Sequence, residues 1–540
     1  MSCETFPISM KSMKNPAIQL FGNRLVNDQL PIEFLIELIL VLSSPKRIGD
    51  EGEIFSNPLP KMSELSNWPK KTELQYAPKA RLNLKLFALM GASRLDSRHK
   101  THRDHYKEIL EKLQGKINTS ETGSEQDILR ALENLFLGFQ GTGIGRTWCA
   151  QSFIPICRGF LSGETIWNET AARRNNPTDW GTVIEAKGSS KYFHNDKHIF
   201  LARGGEVLYM QLCNALKQIP QEIKQWVRDS QVELEPNEQD PSWLHEKLQK
   251  ELGNLMDLSP KTLSEIAEFI DSSVESETAK ATDTDMNGNP RFVNAGYCPE
   301  DSWREGYLFA VDLLRLCQAS LDLVERLQMM ENACGLQVLR NLASQSSRHY
   351  PGEIRFLWPG YRLAISAPDE RNSARKRLSR HTAKMTEKLI YRAIRGSDID
   401  LPTDETEKEK ILKEADKRYA GKLFVGMAKR LGLLVPRRGA GARFTLNEQL
   451  LRLLVVTTVP VGGHLTYDFF KKLLEARHGM VFDADGFSRA NEWVEGTGQA
   501  IKGSNADAWL MEMLDSAGLL VQLSDSHALV KNPAIKKGAE

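Results

Sequence analysis

GKLFVGMAKRLGLLVPRRGAGARFTL, residues 421–446, is where local chemistry and a recognisable chain plan coincide. Leu423, Phe424, Met427 and Leu431 recur at three- and four-residue steps and so share one face of a helix, which Gly432 ends. Two short strand-like runs follow, 433–436 and 443–446. The connection between them, Arg437-Arg438-Gly439-Ala440-Gly441-Ala442, has glycines that take positive φ and turn the chain back. A helix followed by a basic hairpin is the closing half of a winged helix. In that plan Arg437, Arg438 and Arg443 are expected to contact phosphates or the minor groove, and Lys422, Lys429 and Arg430 lie on or beside the recognition helix.

Upstream, residues 371–395 carry Arg371, Arg375, Lys376, Arg377, Arg380, Lys384, Lys388, Arg392 and Arg395 against only Asp369, Glu370 and Glu387 nearby. The whole chain balances 71 Lys+Arg against 70 Asp+Glu, so this concentration is local, and a polyanion responds to local potential. The face from Arg375 to Lys388 is therefore expected to add contacts to a nucleic-acid backbone. An acidic connection, 397–409, separates it from the opening stretch.

Downstream, the plan recurs. Residues 447–458 are helical in pattern, Thr466 caps 467–478, and a third helix, 506–517, stops at Gly518 before strand-like 519–523 and 528–531. This second hairpin lacks arginines. DNA is accordingly expected on the first module and protein on the second.

The rest of the chain bounds the answer. A hydrophobic fraction of 41% in 540 residues suffices for several packed cores. Seven scattered cysteines, Cys3, Cys149, Cys157, Cys213, Cys298, Cys317 and Cys334, include no Cys-x-x-Cys pair, so reduced thiols are expected and no zinc ribbon. The most apolar run, 32–42, is too short to span a bilayer and carries Glu33 and Glu37; a buried helix and a cytoplasmic protein are expected. Residues 302–346 hold the longest helical pattern, expected to be a spine. The expected divisions are a mixed region at 1–120, an aromatic-rich α+β domain at 121–271, a linker at 272–291, a long-helix region at 292–370, and modules at 371–446 and 447–540.

Several patterns suggest chemistry. Asp179, then a strand-like 180–184, then Glu185 and Lys187 fit the loose outline of a metal-dependent nuclease of the PD-(D/E)xK type, in which two carboxylates on adjoining strands hold Mg²⁺ and the lysine assists the attacking water. Glu-x-Lys is common, and a surface strand explains the same residues. His99, His102 and His105 walk around a helix instead of converging, and His194 and His198 lack an evident third ligand. Gly141, Gly143 and Gly145 follow a helix instead of opening one, so no nucleotide cradle is expected. Asp283, Asp285 and Asn287 begin a calcium loop whose twelfth position is Asn294, not glutamate. No metal or other cofactor is expected.

Two stretches, WCAQSFIPICRGFLSGETIW (148–167) and 421–482, resemble uncharacterised proteins encoded in bacterial anti-phage defence islands, and the length and opening of the chain resemble the DruB family of Druantia systems. The resemblance implies a cytosolic component of a multi-gene antiviral system whose large helicase-like partner holds the ATPase. It carries no functional residues with it. The sequence is therefore read as a mainly α, multidomain protein with tandem C-terminal winged-helix-like modules. The expected role is a non-enzymatic DNA-binding or adaptor subunit, with the nuclease and a purely protein-binding scaffold as alternatives.

Overall fold

The computed structural model describes residues 3–8, 15–27, 29–82, 163–185, 191–194, 204–258, 290–350, 358–396, 399–494, 506–524 and 527–534, with residue 161 and scattered positions in 99–128 and 261–272. These residues are mainly α-helical, with sheets of two or three short strands. In chain order the helices are α1 (Pro16–Phe21), α2 (Pro31–Ser43), α3 (Met62–Ser66), α4 (Glu169–Asn175), α5 (Trp180–Glu185), α6 (Gly204–Leu216), α7 (Pro220–Ser230) and α8 (Pro241–Met256). They continue with α9 (Trp303–Gln318), α10 (Leu323–Arg348), α11 (Ser373–Ala393), α12 (Glu405–Arg418), α13 (Gly421–Arg430), α14 (Glu448–Thr458), α15 (Tyr467–His478), α16 (Ala484–Trp493) and α17 (Ala508–Ser516). The strands are β1 (Thr5–Phe6), β2 (Lys46–Ile48), β3 (Leu74–Tyr76), β4 (Ala80–Leu82), β5 (Gly163–Trp167), β6 (Phe193–His194), β7 (Val293–Asn294), β8 (Cys298–Pro299), β9 (Leu363–Ala364), β10 (Leu434–Val435), β11 (Arg443–Phe444), β12 (His464–Thr466), β13 (Met480–Val481), β14 (Leu520–Ser524) and β15 (His527–Lys531).

Helix α6 lies at the centre, with every residue buried. Two glycine contacts let its neighbours approach its backbone. A Cβ on Gly205 would fall 2.6 Å from the Phe34 carbonyl oxygen of α2, and one on Gly306 of α9 would fall 2.4 Å from the Gln211 carbonyl oxygen. The apolar run at 32–42 is the buried helix α2, as its length suggests. One apolar core runs from Phe6 to Ala534, so the segments divided by the sequence share packing.

The expected spine at 302–346 is two helices, not one. Asp322 caps α10 by accepting from the backbone N–H groups of Val324 and Glu325, and the chain folds back so that Asp312 of α9 pairs with Arg340 of α10 at 2.9 Å. Buried ion pairs then tie this helical pair to the C-terminal third. Asp312 also accepts from Arg477 of α15, and Arg315 donates to both carboxylate oxygens of Glu238 (2.7 and 2.6 Å) and to the carbonyls of Thr457 and Thr458 at the end of α14. Glu238 serves Arg315, and Asp312 is shared by Arg340 and Arg477, so the three buried guanidiniums are each in contact with a carboxylate.

At the N-terminal end, β1 runs antiparallel to β8, pairing Thr5 with Pro299 and Phe6 with Cys298. Strand β9 pairs in parallel with β13. Most of the expected linker 272–291 and the first seven positions of the incomplete calcium loop, 283–289, lie outside the described residues, as do the glycines of 141–146 and the stretch 148–160.

Candidate nucleic-acid interface

Helix α11 is built to present charge. Asn372 caps it by accepting from the N–H groups of Ala374 and Arg375, and Leu378, Ser379, Thr382, Ala383, Thr386, Leu389, Ile390 and Ala393 are buried at helical spacing. Ser379 Oγ donates to the Phe444 carbonyl at 3.0 Å, fixing the helix on β11. Its outward face includes Arg377, Arg380, Lys384 and Lys388, all exposed, together with His381, Tyr391 and Arg392, with Glu387 the carboxylate among them.

The hairpin β10–β11 stands beside this face, pairing Leu434 with Phe444 and Val435 with Arg443. Its loop turns as the glycines predict, with φ of +94° at Gly439 and +80° at Gly441. Arg437 and Arg438 are exposed on that loop. The loop and α11 meet at Gly441, where an added Cβ would lie 3.6 Å from Nε of Arg380. Lys429 joins from α13: burial pushes the Glu387 carboxyl up, and Lys429 and Lys384 partly oppose that shift, so all three groups lie close together. None of Arg377, Arg380, Lys384, Lys388, Lys422, Lys429, Arg437 or Arg438 has an ion-pair partner among the described residues. A cluster with one carboxylate, Glu387, among many cations keeps an excess of positive charge that can accept phosphates.

Other expected contacts are spent inside the fold. Arg443 is only 9% exposed and donates to Ser366 Oγ (2.6 Å), the Ala367 carbonyl (2.9 Å) and the Pro368 carbonyl (2.6 Å); it anchors the hairpin and does not face a phosphate. Arg430 donates to the carbonyls of Asn27 and Gln29, at 3.1 and 2.6 Å. Arg375 pairs with Glu370 at 3.6 Å, and Lys376 is half-buried. Nor is α13 free to enter a groove. Met427 and the following Leu431 pack against Gly335 of α10, and of its expected cations Lys422 is exposed and Lys429 half-buried. The exposed basic surface is thus the outer face of α11 with the hairpin tip, and of the expected contacts on the helix before the hairpin Arg430 is taken up inside the fold.

The second module has the same plan with other chemistry. Helices α14, α15 and α17 accompany a sheet in the order β12-β15-β14, while β13 and α16 are inserted between α15 and α17. Helix α17, AWLMEMLDS, has no cation and exposes Glu512 and Asp515. Strand β14 exposes Val521 (37%) and Leu523 (62%). Lys471 holds the insertion, reaching Asp507 at 2.6 Å, Asp483 at 3.1 Å and Asp468 at 3.2 Å.

The nuclease outline loses its framework. The expected strand at 180–184 is helix α5, and Asp179 caps it, accepting from Thr182 N (2.8 Å), Thr182 Oγ1 (2.9 Å) and Thr178 Oγ1 (2.9 Å). The backbone hydrogen bond from Thr182, then the two hydroxyls, hold the Asp179 carboxyl below its ordinary range. Glu185 ends the same helix, and Lys187 lies outside the described residues, as do His102, His105 and His198. His194 sits in β6, and His99 lies 3.2 Å from Asn176 Oδ1. Among the described residues no three His, Cys, Asp or Glu side chains are grouped as a metal site, and no helix is long and apolar enough to cross a membrane.

No family model matches the chain, and neither does any curated protein or any solved structure.

Proposed function

We propose that this protein is a DNA-binding adaptor: the α11 face and hairpin tip hold a nucleic-acid backbone, and the second module holds a protein partner. The observation that carries the reading is the run of exposed, unpaired cations Arg377, Arg380, Lys384, Arg437 and Arg438 in a chain whose total charge is near zero. With the preceding helix α13 packed against α10, contact is to phosphates and shape more than to base edges, so sequence preference is weak and salt dependence steep. The acidic α17 and the apolar side chains on β14 support a protein partner for the second module. The resemblance to components of anti-phage defence islands supports placing the adaptor in a cytoplasmic antiviral assembly, beside a helicase-like protein that holds the ATPase.

The test is binding of the full chain to labelled duplex and single-stranded DNA over a salt series, beside the variant Arg377→Glu, Arg380→Glu, Lys384→Glu. Affinity that falls steeply with salt and collapses in the variant is expected. No binding at low salt, or equal binding by the variant, would remove DNA from the reading and leave the scaffold alternative.

A further inference from the structure

The β1–β8 ladder has a consequence at its open end. Continuing its antiparallel register from Phe6–Cys298 and Thr5–Pro299 brings Cys3 opposite Asp301, and the Glu300 N–H donates to the Glu4 carbonyl at 2.9 Å, so the pairing extends that far. The end of α10 delivers a third group to the same place. Cys3 Sγ lies against the His349 ring, 3.5 Å from Nδ1 and 3.9 Å from Nε2, and His349 Nε2 lies 3.3 Å from Asp301 Oδ2. The three side chains open on a cavity of about 480 Å³ also lined by Leu20, Gln218 and Trp303.

A thiol against an imidazole whose Nε2 is held by a carboxylate brings together the groups that nucleophilic thiol chemistry uses: the carboxylate orients the ring, and the ring, nearer the sulfur through Nδ1, carries the proton. Cys3 also differs from the other cysteines described. It is half-exposed, whereas Cys213, Cys298, Cys317 and Cys334 are buried, and burial pushes the Cys298 thiol up to about 12. Burial alone would lower the His349 imidazolium, but the hydrogen bonds to Asp301 and Cys3 outweigh it and hold the group at about 10. The charges around the pair are Asp301 and Glu300, Glu4 beside the thiol, Arg348 from α10, Arg304 from α9 and Lys217 just after α6.

The geometry points to a nucleophilic cysteine site in which Cys3 attacks the carbonyl of a peptide amide or ester, with His349 as proton carrier and Asp301 as its positioning residue. The apolar wall of Leu20 and Trp303 and the exposed Glu4 at the rim, with Glu300 taken up by Lys217, suit an acyl group with an apolar side chain beside a basic one. The Cys3 sulfur forms a bond to the carbonyl carbon, and the carbon–nitrogen or carbon–oxygen bond breaks. The leaving atom, nitrogen or oxygen, takes that electron pair and the proton of the His349 imidazolium, leaving the imidazole neutral. Water then adds to the thioester carbon and gives a proton to His349. The acid leaves, and the Cys3 thiolate is restored.

The full chain is treated with iodoacetamide from pH 5 to 9, and separately with p-nitrophenyl acetate, both read by intact mass and peptide mapping. An ordinary thiol holds less than about 1% thiolate at pH 6. The site predicts Cys3 alkylation at pH 6 that is at least tenfold slower in His349→Asn, with the two rates converging near pH 9. It also predicts a single acetyl group on Cys3 that turns over in water, is absent in Cys3→Ser, and is slowed in Asp301→Asn. Thermal melts of the variants identify any that fail to fold, and Cys3→Ser is the conservative control. A pH 6 alkylation rate unchanged in His349→Asn, or no acetyl group on Cys3 of the wild type, would overturn the assignment.

Discussion

The two C-terminal modules share a helix-then-hairpin plan and differ in what they leave outside. In the first, the helix before the hairpin is packed against α10, and the exposed surface is the cationic α11 with Arg437 and Arg438. In the second, the helix before the hairpin carries Glu512 and Asp515, and β14 shows Val521 and Leu523. A shared chain plan therefore fixes where a surface is, while residue chemistry fixes what it can meet.

The largest effect should separate the modules outright. Reversing Arg377, Arg380 and Lys384 to glutamate should lower duplex affinity roughly a thousandfold near 0.1 M salt, because three phosphate contacts become repulsions. Val521→Asp with Leu523→Asp should leave it within about twofold. Fluorescence anisotropy on both variants decides; equal losses would mean that the modules act as one DNA surface.

Next comes a contrast within one hairpin. Arg443→Ala leaves three acceptors without their donor and should cost about 3 kcal/mol in urea unfolding, whereas Arg437→Ala with Arg438→Ala should change stability by no more than about 0.5 kcal/mol. The same double variant should reduce the slope of log affinity against log salt by about 2, one unit for each phosphate released. Loss of stability without loss of slope in the double variant would place those arginines inside the fold.

A smaller effect belongs to the second module. The Asp483 carboxyl is held below its ordinary value: burial acts against this, but the Gly486 N–H and Lys471 outweigh it. Its folded value is depressed, so its contribution is present above the unfolded value near 3.8 and is lost as pH falls through the lower folded value. Lys471→Met should shift acid unfolding, followed by circular dichroism, to higher pH and cost about 1 kcal/mol near neutrality. The smallest effect sharpens the first module: Glu387→Gln removes the carboxylate among its exposed cations and should raise duplex affinity about twofold.

Much of this architecture could be read from residue spacing. The basic helix at α11, the buried α2 and the glycine-turned hairpin all follow from charge, apolar run length and backbone permissiveness. The break at 319–322 did not, because it has no Gly or Pro and is marked only by Asp322, a cap set within an apolar pattern. Asp179 misled for a related reason: a cap before a short helix and a metal ligand before a strand begin with the same residue. Arg443 and Arg438 could not be told apart, since a two-residue strand is too short to show which side faces the core. Cys3 and His349 are 346 positions apart, so only the fold brings them together and no motif could announce them.

The pairing of β9 with β13, reinforced by the 3.0 Å contact between Arg362 and Glu475, joins the strand just before α11 to the insertion in the second module. On the proposed reading, a duplex lying along α11 would then be held at a set rotational phase relative to β14. A protein seated there would meet one side of the duplex, and shifting the DNA footprint by about five base pairs, half a helical turn, would carry it to the other. The ladder would thus turn distance along DNA into a choice of which neighbours can assemble.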